Sequence, residues 1–261
     1  VKKRIADQEI GFGANIKNIR DDSDILKQAK AEDLIEYGFE SEFVGRLPVR
    51  AVFEKLTEKD LFEILRNPSN PIILGKKLDF AAYDIEIKFE DMLLHKLATY
   101  AFAENTGARG LVSAVEKALL EYERKLPSSD IKKFPATANI LEKPQVSIKV
   151  LTAPDQKQKT LELFKRLQQQ EKESIREYLK RNKANLAAKY SLTLTQSRIE
   201  LVAACYVNST MDIGNVIKKI KSYYDEIKKI ELYFFKNHDI NIVLEEDAID
   251  FIIEQLVESF V

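Results

Sequence analysis

The chain of 261 residues has one cysteine, no tryptophan, two histidines, eight glycines and seven prolines. A single cysteine excludes an internal disulfide and fits a reducing compartment. Cys205 sits inside the apolar run Leu201–Val207, where a buried, inert thiol is expected. His95 and His238 are far apart and have no cysteine partners, so no zinc site is expected and no metal is assigned. His95 reads as a residue on or beside the apolar face of its helix. No apolar run is long enough to cross a bilayer, so a soluble chain without a membrane partner is expected. The first residues lack the basic-then-apolar layout of a signal peptide, which points to the cytoplasm. The chain starts at Val1-Lys2-Lys3-Arg4 without a methionine and reads as a piece of something longer. Charge of one sign is also missing: 41 basic residues nearly cancel 42 acidic ones, for a net charge of -1. That balance gives no bulk attraction to nucleic acid or an anionic membrane. Two catalytic signatures are absent: a G-x-x-x-x-G-K-[ST] phosphate cradle, and an apolar run ending in paired acids that could hold Mg²⁺.

What is present divides into three stretches. Residues 1–53 mix glycine turns with short apolar runs. A short helix is expected over Ala31–Tyr37, stopped by Gly38, and a strand over Leu47–Phe53, opening with Pro48. Residues 54–150 read as a compact α/β unit. Thr57 is a plausible N-cap for a helix carrying Leu61, Phe62, Ile64 and Leu65, with Pro68 and Pro71 as its stop. Asp84–Phe89 alternates polar and apolar, the period of a half-buried strand. Glu90 and Asp91 open a helix with Leu93, Leu94, Leu97 and Ala98. Another helix begins near Thr106, carries Leu111, Val115, Ala118, Leu119 and Tyr122, and ends at Pro127-Ser128-Ser129. Two short strands are expected at Ile131–Phe134 and Val146–Val150.

Residues 151–261 read as a helical extension. Residues 155–189 contain no Gly or Pro and predict one long helix with a thin stripe of Leu161, Phe164, Leu167, Ile175, Leu179 and Leu186. Helices are also expected over Gln196–Val207 and Ile213–Phe235. The lysines at 218–229 interleave with Ile217, Ile220, Tyr224, Ile227 and Ile230, a spacing that reads as a solvated helix face rather than a nucleic-acid surface. Asp239–Asp247 echoes Asp84–Asp91: an alternating strand, then acids at a helix start, so a strand–helix repeat at 239–260 is conceivable but generic. The fold class expected is α+β, predominantly helical.

Two runs carry chemistry. Glu42-Phe43-Val44-Gly45-Arg46-Leu47-Pro48 and Thr106-Gly107-Ala108-Arg109-Gly110-Leu111 each set one arginine beside glycine at the edge of an element. A guanidinium stays charged at any working pH and presents a planar fork of donors suited to phosphate oxygens. With no base, nucleophile or metal cluster beside them, these arginines suggest part of a nucleotide machine.

Together with Ile10-Gly11-Phe12-Gly13-Ala14 and Glu32-Asp33-Leu34-Ile35, these motifs occur in an order and spacing that resembles the C-terminal half of the ClpX-type AAA+ protein unfoldases. The resemblance covers residues 1 to about 150. It implies the end of a AAA+ large domain at 1–53 and a small lid domain at 54–150, and it leaves 151–261 unassigned. It implies that Arg46 is an arginine finger acting in trans on a neighbour's nucleotide. It implies that Arg109, with Gly107 and Ala108, is the sensor-2 contact to nucleotide on the same subunit. Ile10, Gly11 and Phe12 correspond to the loop that docks on a ClpP-like peptidase, a loop HslU-type unfoldases lack. The cofactor implied is ATP with Mg²⁺, and the partners are neighbouring subunits of a homohexamer and unfolded protein substrates. The parent would be an ATPase, and this piece alone is expected to be inactive. The family's pore loop and zinc-binding module have no counterpart in the sequence. Removing 151–261 from the whole protein is expected to spare ATPase activity. The alternative is a AAA+-derived scaffold or adaptor whose helical arm binds another protein.

Overall fold

A computed structural model describes Val1, Arg4 and residues 22–258. The chain forms two compact units, Val1–Thr57 and Glu58–Val261. The fold is predominantly helical α+β, as expected.

Among its described residues the first unit holds three short helices after Arg4, α1 (Asp22–Leu26), α2 (Ala31–Tyr37) and α3 (Ser41–Gly45). Asp33 organises the start of α2. Its carboxylate accepts a bidentate pair from Arg4 (Nε and Nη2, both 3.0 Å) and the Lys30 amide at 2.8 Å. The Arg4 guanidinium and the Lys30 amide hold the carboxyl well below the usual carboxylate range. Gly38 ends α2 at φ 118°, a left-handed position that favours glycine. The strand expected over Leu47–Phe53 does not form; residues 47–57 have no regular structure. A strand needs a partner edge for its backbone groups, and none lies among the described residues of this unit.

The second unit starts with α4 (Glu58–Arg66), which buries Leu61, Phe62 and Leu65. His95 stacks on Phe62 with ring centroids 3.5 Å apart. Pro71 is not a stop but the first residue of α5 (Pro71–Ala81). Asn70 caps that helix, accepting the amides of Ile72 at 2.7 Å and Ile73 at 3.3 Å. Strand β1 (Glu86–Phe89) is followed by α6 (Asp91–Ala103), α7 (Arg109–Lys125) and a 3₁₀ turn at Leu126–Ser128. Strand β2 (Lys133–Ala136) then pairs parallel with β1, with Glu86 opposite Lys133 and Phe89 opposite Ala136. It lies two residues beyond the expected position and includes Pro135, which an edge strand tolerates.

A short α8 (Asn139–Glu142) leads into α9 (Pro144–Thr152), so Val146–Val150 is helical and not the strand its alternation suggested. Proline at the first helical position favours that outcome. The long helix expected at 155–189 is two helices, α10 (Lys157–Arg181) and α11 (Lys183–Tyr190), divided at Asn182. Asn182 leaves the helical region and folds its side chain back on the Tyr178 carbonyl at 2.9 Å. Helices α12 (Gln196–Val207), α13 (Ile213–His238) and α14 (Glu246–Glu258) complete the chain. Asp239–Leu244 is not a strand: Asp239 closes α13 at φ 54° and no ladder partner exists among the described residues. The strand half of the internal echo therefore does not form.

The sheet is covered on both faces. Phe134 packs on Phe80 of α5 and Tyr122 of α7, with ring centroids 5.4 and 5.2 Å away. Ile87, its partner across the ladder, shares that face. The opposite face carries Glu86, Lys88 and Lys133, which the alternation alone would send to water. Helix α10 lies over it instead. Phe164 and Leu167 are buried there, with Lys133 Nζ 5.1 Å from the Phe164 ring centroid. Lys88 is only 2% exposed. Its ammonium donates to Glu171 Oε2 at 2.8 Å and to the Val207 carbonyl at 2.6 Å. The other oxygen of Glu171 takes Lys77 Nζ. Burial pushes the Glu171 carboxyl up, but the two ammonium groups outweigh it and hold the group below the usual glutamate range. Because α10 is a wall of this core, removing 151–261 would strip one face of the sheet. The deletion expected to spare ATPase activity would therefore also expose buried surface of the sheet.

Replacing Glu171 with Ala leaves the buried Lys77 ammonium without an anion and Lys88 with only Glu86, 3.4 Å away, and should cost about 3–5 kcal/mol by urea unfolding. Substituting Lys77→Met, Lys88→Met and Glu171→Leu together should recover most of that loss. The sign with pH follows from the depressed value. The Glu171 contribution is fully present above the ordinary glutamate range and is lost as pH falls through its folded-state value. Wild type should therefore lose more stability in acid than E171Q does.

Candidate functional site

Arg46 follows the last turn of α3 and caps it in a right-handed conformation. The turn forms because Glu42 supports its start and the Arg46 and Leu47 amides close on the Phe43 and Val44 carbonyls at 3.1 Å each. Val44, at 5% exposure, is the only buried hydrophobic among the described residues of the first unit. The guanidinium is exposed, and its one partner among the described residues is Glu42 Oε1 at 3.0 Å, four residues back and equally exposed. A pair of that kind contributes about 0.3–0.5 kcal/mol, so a phosphate could displace it readily.

Arg109 is the first residue of α7. Between α6 and α7 the chain reverses through two left-handed residues, Asn105 at φ 52° and Gly107 at φ 64°. Ala108 is the N-cap and offers no side-chain oxygen. The Arg109 side chain is exposed and makes no ion pair among the described residues, while the nearby acid Glu104 is engaged by Lys117 Nζ at 2.9 Å. The first-turn amides are less available than a helix N-terminus suggests. Gly110 N–H donates to the Gly107 carbonyl at 3.1 Å and Leu111 N–H to the Ala108 carbonyl at 3.2 Å. The guanidinium, more than the backbone, is the donor this turn presents.

A residue the sequence reading passed over fixes that position. Gly110 is buried, and a Cβ there would meet Thr106 Oγ1 at 2.8 Å and the Ala101 carbonyl oxygen at 2.9 Å. Only glycine lets the first turn of α7 sit directly on the end of α6. The signal was visible in Arg109-Gly110, since glycine inside a helix usually marks close packing.

Arg46 and Arg109 belong to different compact units, and each is described by itself. Ile10, Gly11 and Phe12 lie outside the described residues. Among the described residues, no group of three or more His, Cys, Asp or Glu side chains is arranged to hold a metal ion. A basic cleft of about 330 Å³ beside β1 has its charges matched internally: Lys88 and Lys77 by Glu171, Lys132 by Asp84 and Lys133 by Glu86. It offers an anion no free cation. Cys205 is buried and its thiol is pushed up by burial, the opposite of activation. The residues present thus fit the edge of a nucleotide phosphate site, as isolated guanidinium contacts without a cradle.

The chain is similar over about half its length to the ATP-binding subunits of an ATP-dependent protease. The relatives are named ATP-dependent Clp protease ATP-binding subunit ClpX. Those of Borrelia duttonii (strain Ly) and Borrelia recurrentis (strain A1) are each 38% identical over 153 residues, 58% of this chain and 36% of theirs. That of Treponema denticola is 35% identical over 130 residues, 49% of this chain and 31% of its own. The chain spans about a third of the length of these relatives. The resemblance to a C-terminal portion of ClpX-type subunits is thereby borne out. No family model matches the chain.

Gly110→Ala should force α7 away from Ala101 and cost about 1–3 kcal/mol in urea unfolding. Gly75→Ala, where a Cβ meets nothing within 4 Å, should be neutral or stabilising and serves as the control.

Proposed function

We propose that this chain is the C-terminal part of a hexameric, ATP-dependent protein unfoldase that passes unfolded substrates to a ClpP-like peptidase in the cytoplasm. In this reading residues 1–53 end the AAA+ large domain and 54–150 are the small lid domain. Residues 151–261 are an extension that shares the lid's core. The observation that carries the reading is Arg109: an exposed cation with no ion pair among the described residues, held at a helix start by a left-handed glycine and the close seat of Gly110 on Ala101.

ATP with Mg²⁺, when bound in the whole protein, supplies the phosphoryl group whose transfer drives unfolding. Arg109 would bind the phosphates of its own subunit's nucleotide. Because it is rooted in α7, its pull acts on the whole second unit. Arg46, exposed and weakly paired, would reach a neighbour's nucleotide and stabilise charge developing on the phosphoryl oxygens. Ile10, Gly11 and Phe12 would insert into apolar pockets of the peptidase ring. The exposed apolar side chains of the first unit, among them Tyr37 at 84% and Phe53 at 88%, support its being part of a larger domain.

In the whole protein, Arg46→Ala should lower ATP turnover by about 10³-fold or more while nucleotide binding persists, read by steady-state hydrolysis and a fluorescent nucleotide titration. Turnover within about twofold of wild type would overturn the finger assignment. The chain of 261 residues alone should show no ATP binding by calorimetry, and micromolar affinity would contradict the reading.

A further inference from the structure

Helices α13 and α14 each carry an outward stripe that the chain itself leaves uncovered. On α13, Lys229, Leu232, Tyr233 and Lys236 are spaced three, four and seven residues apart, and all four are exposed. On α14, Asp247, Phe251 and Glu254 repeat that spacing and are also exposed. Residues at such intervals line one face of a helix. On both helices it is the face away from the core, which takes Ile217, Ile220 and Ile227 from α13 and Ile249, Ile253 and Val257 from α14. Phe251 is 61% exposed and Tyr233 57%, a heavy apolar load for solvated faces. None of the four flanking charges forms an ion pair among the described residues. Their neighbours do: Lys228 holds Glu231 and Arg198 holds Glu246.

The two stripes match each other in register and oppose each other in sign. One has lysines seven residues apart with apolar side chains between. The other has acids seven residues apart around a phenylalanine. Both belong to one compact unit, and α13 and α14 pack side by side within it. A molecule that carries both halves of a complementary pair can pair with a second copy of itself about a two-fold axis.

We propose that this face is a homotypic docking surface. The α13 stripe of one copy packs on the α14 stripe of a second copy, and the reverse contact forms across the axis. Phe251 sits against Leu232 and Tyr233 of the other copy, flanked by Lys229 and Lys236 against Asp247 and Glu254.

Sedimentation equilibrium of the intact 261-residue chain tests the contact. Self-association is expected, and Tyr233→Glu with Phe251→Glu should weaken it by more than about tenfold with an unchanged circular dichroism spectrum. Lys229→Glu with Lys236→Glu should weaken it, as should Asp247→Lys with Glu254→Lys. Mixing those two charge variants should restore a heterodimer, because both contacts across the axis are then satisfied. The exposed apolar face of the first unit provides the competing explanation. A chain that is monomeric at about 100 μM, a concentration far above a micromolar Kd, overturns the proposal. So does a dimer lost on Phe39→Glu with Phe53→Glu but indifferent to the α13 and α14 changes.

Discussion

The second unit is built around one carboxylate. Glu171, on the helix that closes the sheet, lies between the ammonium groups of Lys77 and Lys88. One lysine comes from α5 and the other from β1, and the Lys88 ammonium also reaches the last carbonyl of α12. Four elements therefore meet at a single ion cluster. A cluster of this kind adds little net stability over an apolar replacement, since desolvation offsets much of the attraction. With α10 placed on the polar face of β1, Lys77, Lys88 and Glu171 each meet an opposite charge. The aromatic ring of Tyr206 closes the arrangement: Lys77 Nζ lies 4.9 Å from its centroid and its hydroxyl donates to the Pro68 carbonyl at 3.3 Å.

A second cluster does the same work further along. Arg198, 1% exposed, donates to Asp250 Oδ1 at 2.7 Å, to the Thr193 carbonyl at 3.0 Å and to Glu246. Its guanidinium carbon is 4.7 Å from the centroid of the Tyr224 ring. Thr195 caps α12 through the Arg198 amide and also donates to Asp250 at 3.2 Å. This fork locks α14 to α12 and α13, much as Glu171 locks α10 to the sheet. The two clusters join an α/β unit and a helical extension into one body. If Arg109 senses nucleotide, the whole of 58–261 is the load it moves, and any surface on α13 and α14 travels with it.

The helices were legible wherever a cap and a 3.6-residue period agreed: Gln196–Val207 was read to the residue, and α4 and α6 nearly so. Misreadings came where a short alternating run stood in for a strand. Leu47–Phe53, Val146–Val150 and Asp239–Leu244 all alternate, yet only segments with a neighbour to bond became strands. Asp84–Phe89 alternates no better, but it has β2 beside it. Pro71 was misread, and Asn182 went unnoticed inside the helix expected at 155–189, each for a local reason. Proline opens helices as well as ending them, and asparagine can turn its side chain back on the preceding turn. Of the site, both arginines were legible as residue types beside glycine. Gly110 stood in the same motif, where a glycine inside a helix signals close packing, but its partner Ala101 was set by the fold.

The sequence alone determined the order of helices, the balance of charge, and the four motifs that tie the first half of the chain to ClpX-type subunits, because each of these is written in spacing and residue type. Tertiary structure decided that β1 is covered on both faces, that residues 151–261 share a core with the α/β elements before them, and that Lys77, Lys88 and Glu171 converge across 94 positions of chain. Those outcomes depend on which buried charges find partners, and a charge's partner is chosen by packing among distant segments rather than by its neighbours in sequence.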